Sequence, residues 1–456
     1  MTVRIEPRFL QGENQNPGMR LLARLDWGLV LAVVVLTCVG CFFIFSATLH
    51  NGRASFLLTR QISAACVGSV ALVFLTLLPY QGFQTYHRLV YGFCLFLLVV
   101  TLVFGVSLRG SRSWIDLGPI YFQPIEVVRL GLATVLASLA CRRDVRFWWE
   151  AVFLVVVAVV PFGLVLCQPD LSSALAILPM LFSVLYVAGA PTGFLVALGV
   201  CGALSLGIPL ADTFFSTTAD RWVSAPALMR WVARSFQETK VLLSFWGGVL
   251  LFLALGWWFL RRWRIYLSVF SLVVALSSVA VGVAGSFAVD RALKTYQRKR
   301  LIAFVDPGVD PLGAGYNILQ SQIAIGSGRL VGKGYLSGSQ AQLGFLPEKH
   351  TDFIFSLIGE ETGFLGAFLV LGLYAWVVWR AFDIAAKARD HFGRYLAVTL
   401  GTFFAFSGVV NMGMAMGLMP ITGIPLPFLS YGGSGLVGSY MAIGLLMSIH
   451  WRRYGV

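Results

Sequence analysis

The run Leu346-Pro-Glu-Lys-His-Thr-Asp-Phe353 gathers Glu348, His350 and Asp352 where a polar stretch gives way to a long apolar one. A carboxylate at such a lipid–water boundary is suited to act as a general base. The same position suits a helix start, where an oxygen of Thr351 or Asp352 would accept from free backbone N–H groups. With two carboxylates in the run, Glu348 and Asp352, a single base and an acid–base pair both remain open.

Other ionisable groups fall inside apolar runs. Glu126 and Arg129 stand one helical turn apart in Gln123-Pro-Ile-Glu-Val-Val-Arg129, and Glu360 with Glu361 follow the first block. Charges in a membrane span are costly and turn towards the interior of a bundle. Glu126–Arg129 therefore reads either as a structural pair or as part of a polar cavity. The glycine-rich run Gly326-Ser-Gly-Arg-Leu-Val-Gly-Lys-Gly334 does not meet the phosphate-loop pattern, because Ser327 replaces its first glycine and Gly334 follows Lys333 in place of Ser or Thr. It serves tight turns or offers backbone N–H groups to an anion.

The elements that must position these groups are membrane spans. Of 456 residues, 58% are hydrophobic and 12% charged, and the mean hydropathy is +0.82. A soluble domain carries about 25% charged residues, so this chain cannot cover a soluble surface. Apolar runs fall at roughly 27–47, 57–79, 88–108, 124–141, 148–167, 171–190, 192–211, 241–260, 264–288, 353–379, 395–416 and 430–450. Each is close to the ~20 residues a bilayer core requires, and none shows the alternation of barrel strands. The reading is an all-α, polytopic transmembrane helix bundle of about twelve spans, a single domain over residues 1–456. The first run follows a basic start without a small-residue cleavage site and reads as a retained helix. The seven cysteines lie within or at the ends of apolar runs and read as small hydrophobes.

Orientation follows from the basic residues. With both termini in the cytoplasm, Arg142–Arg146, Arg261–Arg264, Arg380–Arg394 and Arg452–Arg453 all fall on the inside. The net charge of +14 is then an orientation signal and gives no reason to expect nucleic acid. Residues 290–352 become a large extracellular loop carrying Arg291, Lys294, Arg298, Lys299, Arg300, Arg329, Lys333 and Lys349, while a shorter outside loop adds Arg109 and Arg112. Cations on that side suggest an anionic partner, or pairing with Asp306, Asp310 and Glu348. The run Pro420 to Ser434 is too rich in proline and glycine for a continuous helix, and such backbone belongs beside a cavity.

Taken in order, Trp114-Ile-Asp-Leu-Gly118, Gln123-Pro-Ile-Glu126, Gln168-Pro-Asp-Leu171, Asp310 to Asn317, Gln320-Ser321, Ile325-Gly-Ser-Gly328, Gly332-Lys-Gly334, Leu346 to Phe353 and Ser430-Tyr-Gly-Gly-Ser434 resemble the signature blocks of the SEDS family (RodA, FtsW, SpoVE). Ile325 to Gly328 and Gly423-Ile-Pro-Leu-Pro427 are more like its RodA branch. The chain departs from the family pattern at Ile125 and Arg129, and residues 205–290 look like an insertion of two spans into a ten-span core.

The resemblance implies a peptidoglycan glycosyltransferase that polymerises lipid II into glycan strands during elongation of a rod-shaped cell. It further implies the bacterial plasma membrane, a site on the extracytoplasmic side, and a class B penicillin-binding protein as partner. The family's catalytic Asp falls on Asp352, which would take the acceptor's proton. Arg112, Trp114, Glu126, Arg129, Lys333, Glu348, His350, Ser430, Tyr431 and Ser434 are expected to bind substrate, with Arg112 and Lys333 towards the diphosphate. No metal ligands are expected, and a divalent cation as cofactor is left open. Two rival readings are a lipid II flippase, which needs charge along the whole crossing path, and a non-catalytic scaffold for the transpeptidase.

Overall fold

The computed structural model describes residues 25–49, 54–108, 111–116, 118, 121–217, 269–292, 295–309, 313–346 and 348–453, with scattered positions between 247 and 262. Most of the expected span at 241–260 lies outside the described residues.

In chain order the helices of membrane scale are α1 (Trp27–Thr48), α2 (Ala54–Leu77), α3 (His87–Phe104), α4 (Ile125–Arg142), α5 (Trp148–Cys167), α6 (Leu171–Val187), α7 (Thr192–Thr217) and α8 (Val269–Ala292). After α8 come two short helices, α9 (Thr295–Val305) and α10 (Ala314–Ser327), and then the long α11 (Ile354–Ala386), α12 (His391–Ala415) and α13 (Gly433–Arg452). Among the described residues, nine helices are long and apolar enough to cross a membrane. Helix α4, with Glu126, Arg129 and Arg142, and α6, at 17 residues, add to them.

Aspartates start several of these helices. Asp26, Asp170 and Asp390 accept from the backbone N–H groups of Leu29, Ser173 and Gly393 at 3.1–3.2 Å, the usual satisfaction of an open helix start. The centre of the bundle is α12, whose apolar stretch is 78% buried, with α13 beside it; α2 at the edge is 11% buried. Helix α13 packs along α2, α7 along α8, and α12 against α4, α6 and α11.

Two expectations change. The shorter outside loop is a three-stranded antiparallel sheet, β1 (Val106–Leu108), β2 (Ser111–Asp116) and β3 (Tyr121–Phe122), with Trp114 opposite Val106 and Ile115 opposite Phe122. The ladder satisfies backbone groups that an open loop would leave to water. The large polar stretch after Asp290 is not a plain loop either, since it folds into α9, α10 and the turn Ser339–Gln342.

Helix α11 is broken at Gly363, where φ is 66° and ψ −164°, a conformation that only glycine adopts at low cost. The glycine-rich run crosses this break. Lys333 N and Gly334 N donate to the Glu360 and Glu361 carbonyls at 3.0 Å, and Phe364 N and Leu365 N donate back to Arg329 and Leu330. A Cβ on Gly332 would stand 2.2 Å from the Glu361 carbonyl oxygen. The run's amides therefore satisfy the carbonyls that the break frees, which is the tight-turn reading of those glycines.

Candidate functional site

A cavity of about 950 Å³ opens where α2, α4, α6, α9 and α12 meet the irregular segment between α12 and α13. Its wall on one side is the 348–353 turn. The N–H groups of Thr351, Asp352 and Phe353 all donate to the Glu348 carbonyl, at 3.1–3.3 Å, and Glu348 itself takes φ 51°. This turn ends at Phe353, the N-cap of α11, which receives no side-chain cap. Asp352 is thus not the helix cap, and its side chain lines the cavity.

The opposing wall is the segment 416–432, which is non-helical, as its prolines and glycines require. Gly423, at φ 78°, lies where three polar groups converge. A Cβ at that position would be 3.1 Å from Arg300 Nη1, 3.5 Å from Asp352 Oδ2 and 3.7 Å from Ser172 Oγ. Arg300 Nη1 donates to the Thr422 carbonyl at 3.5 Å, and the Ser172 hydroxyl donates to the same oxygen. A carboxylate and a guanidinium so face one bare backbone position at the cavity wall.

Deeper in, Arg129 Nη1 donates to Glu126 Oε1 at 2.8 Å and Nη2 donates to Ser173 Oγ at 2.9 Å. Ser173 Oγ passes the contact to Asp170 Oδ2 at 2.8 Å, which Gln123 Nε2 also reaches at 3.4 Å. Phe403 lies under the Arg129 guanidinium, 5.4 Å from its ring centre. Arg129 and Glu126 are both buried and both line the cavity. Charge there is tolerable because each group has a partner.

Of the residues expected from sequence, Asp352, Trp114, Glu126, Arg129, Ser430, Tyr431 and Ser434 line this cavity together. Ser430 does so while holding the backbone: its hydroxyl donates to the Thr351 carbonyl at 2.7 Å and accepts from Leu426 N at 2.9 Å. Ser434 accepts from Gln123 N at 3.2 Å, and Tyr431 N donates to the His350 carbonyl at 2.9 Å. His350 and Glu348 stand behind the wall, His350 with its ring 5.7 Å from that of Tyr431 and Glu348 accepting from the Thr351 hydroxyl.

Arg112 and Lys333 are not among the lining residues. Arg112 Nε donates to the Gly105 carbonyl at 3.2 Å. Lys333 Nζ lies 2.7 Å from Glu360 Oε1 and 2.7 Å from Ser339 Oγ. Lys349, buried nearby, has its ammonium pushed below the usual lysine range by that burial, with the Glu360 and Glu361 carboxylates opposing the shift. The cations of the 290–352 stretch thus divide: Arg300 reaches the cavity, Arg298 pairs with Asp290 at 2.9 Å, and Lys333 belongs to a second polar centre at the α11 break.

Sequence reasoning gave no site role to Arg60, Asp170, Ser172 or Ser173, which also line the cavity, although Asp170 lies in the Gln168-Pro-Asp-Leu171 block. Arg60 carried a usable signal as a lone charge inside an apolar run, the same rule that drew attention to Glu126. Among the described residues, no group of three or more His, Cys, Asp or Glu side chains is placed to hold a metal ion.

The family described as cell cycle protein (FtsW/RodA/SpoVE) matches residues 26–219 and 229–455. The peptidoglycan glycosyltransferase RodA of Treponema pallidum (strain Nichols) is 34% identical over 444 residues, covering 95% of this chain and 99% of that protein. The peptidoglycan glycosyltransferase MrdB of Escherichia coli (strain K12) is 31% identical, covering 94% of each. A chain of a solved peptidoglycan synthase complex, described as coordinating polymerization and crosslinking, superposes with a TM-score of 0.66 at 28% identity, covering 95% of this chain and 99% of that one.

Proposed function

This chain belongs to the FtsW/RodA/SpoVE family, and from that premise we propose that it is a peptidoglycan glycosyltransferase whose cavity joins lipid II units into glycan. The observation that carries the reading is the convergence of Asp352 Oδ2 and Arg300 Nη1 on Gly423 at the cavity wall. Asp352 takes the proton of the acceptor sugar hydroxyl as its oxygen bonds to the donor's anomeric carbon. The bond from that carbon to the diphosphate oxygen breaks, and the lipid diphosphate leaves with the electron pair. Arg300 and Arg60, which line the same cavity, provide fixed positive charge for it. Glu126, Arg129 and Trp114 shape the chamber, with Ser434 and Tyr431 on its rim. In this reading Arg112 and Lys333 support the scaffold and do not meet the diphosphate.

The finer reading places about twelve spans in the bacterial plasma membrane, both termini in the cytoplasm and the cavity on the extracytoplasmic side. Its role is elongation of a rod-shaped cell beside a class B penicillin-binding protein. The stronger likeness of Ile325 to Gly328 to the RodA branch supports elongation, and the complex-derived structural relative supports the partner.

Purified protein given lipid II, alone and with the transpeptidase, is expected to form glycan polymer in at least the second case. Movement of lipid II across a vesicle bilayer with no polymer in either case would overturn the reading. For the orientation, Ser337 is exposed beside the glycine-rich crossing. A cysteine placed there in an otherwise cysteine-free protein is expected to react with an impermeant thiol reagent in intact spheroplasts. Labelling only after permeabilisation reverses the topology.

A further inference from the structure

We infer that Asn411 is a positioning residue for the base, acting through the backbone of Asp352; the inference rests on the glycosyltransferase reading. Asn411 sits on α12, fully buried, and is not among the residues lining the cavity. Its Nδ2 donates to two carbonyl oxygens at once, that of Asp352 at 3.0 Å and that of Ile424 at 2.8 Å. The first belongs to the turn that carries the base. The second follows directly on Gly423, the bare position that Asp352 and Arg300 face. One amide group therefore ties the two walls of the reaction centre together.

The chemistry of the clamp is specific. Both neighbours are acceptors, so the amide meets them with its N–H end, and this fixes which way it points. Neither an aliphatic side chain nor a carboxylate can replace it. Among the described residues, the other end of the same amide, Oδ1, is buried and has no hydrogen-bond partner. Among the described candidate spans α12 is the most buried, which makes it a rigid support from which to hold the turn. Within the turn the Asp352 N–H goes to Glu348; Ser430 and Tyr431 tie the neighbouring Thr351 and His350 carbonyls to the far wall, and Asn411 does the same for the carbonyl of Asp352 itself.

The step affected is proton transfer. Misplacement of a reacting group by about 1 Å costs about 10²-fold in rate, while Arg60 and Arg300, which would meet the diphosphate, are carried by α2 and α9 and not by the 348–353 turn. Asn411→Asp keeps the shape but replaces the donor with an acceptor. Asn411→Ser keeps one hydroxyl donor at reduced reach and stays neutral, so it serves where the Asp variant fails to fold. In steady-state polymerisation with purified protein, partner and lipid II, the Asp variant is expected to lose about 10²-fold in kcat with KM within about twofold of wild type. The Ser variant is expected to fall between it and wild type. Wild-type kcat in folded Asn411→Ser or Asn411→Asp protein overturns the inference, as does a loss carried by KM. Failure of wild type itself to polymerise lipid II overturns the parent reading instead, so the two failures are distinct.

Discussion

Asp352→Asn is expected to abolish glycan polymerisation, by about 10²–10⁴-fold, the usual share of a general base, while leaving the protein folded and able to bind lipid II. The structure makes the substitution a clean one. Asp352 enters the fold through its backbone: its N–H donates to the Glu348 carbonyl and its own carbonyl accepts from Asn411. Neither contact involves the carboxylate, and the N-cap of α11 is Phe353, without side-chain capping. Changing one carboxylate oxygen to an amide nitrogen leaves those two backbone contacts in place and removes the proton acceptor. A lost cap would have cost about 0.5–2 kcal/mol of stability and little rate, so the two roles separate in one experiment. Purified, monodisperse Asp352→Asn protein that polymerises lipid II like wild type would sink the catalytic assignment and return the flippase reading to first place.

The architecture was legible because bilayer thickness imposes one length on every span, and eleven expected runs coincide with helices among the described residues. What escaped were the elements that hydropathy does not register. Helix α9 is too polar and α10, at 14 residues, too short to signal a span, and β2 is too short to stand out from a loop. The block from Leu346 to Phe353 was legible because turn, carboxylates and helix start are consecutive, and the choice of Asp352 over Glu348 came from the family resemblance and not from spacing.

Groups defined by tertiary approach were not legible. Arg300 is one cation among many in a basic stretch, and nothing local marks it as the one that reaches Gly423. Lys333 and Glu360 are 27 positions apart and meet because two glycine-bearing segments cross at the α11 break. Asn411 lies in an apolar run whose only local message is burial. In each case the deciding partner comes from a distant element, which composition and spacing do not encode.

Lys333 gives the sharpest test of that distinction, because the two roles open to it predict opposite measurements. The Glu360 side chain is 0% exposed and accepts from Lys333 Nζ at 2.7 Å, from Ser339 Oγ at 3.1 Å and from Gln340 N at 3.0 Å. Lys333→Met leaves that carboxylate without the ammonium. Removing one partner of a buried pair typically costs about 3–5 kcal/mol; with Lys333 partly exposed and Lys349 coupled to the same carboxylates, the low end, about 3 kcal/mol, is expected. The unfolding midpoint in detergent should fall clearly, and the folded fraction should keep its KM for lipid II. Adding Glu360→Gln should then recover most of the loss, because a neutral amide oxygen still accepts from Ser339 and Gln340 and no longer needs a cation. A diphosphate-binding Lys333 predicts the reverse: a raised KM in Lys333→Met, an unchanged midpoint, and no recovery from Glu360→Gln. The second pattern would move Lys333 from the α11 break into the substrate's path and require the turn 333–340 to reach the cavity during turnover.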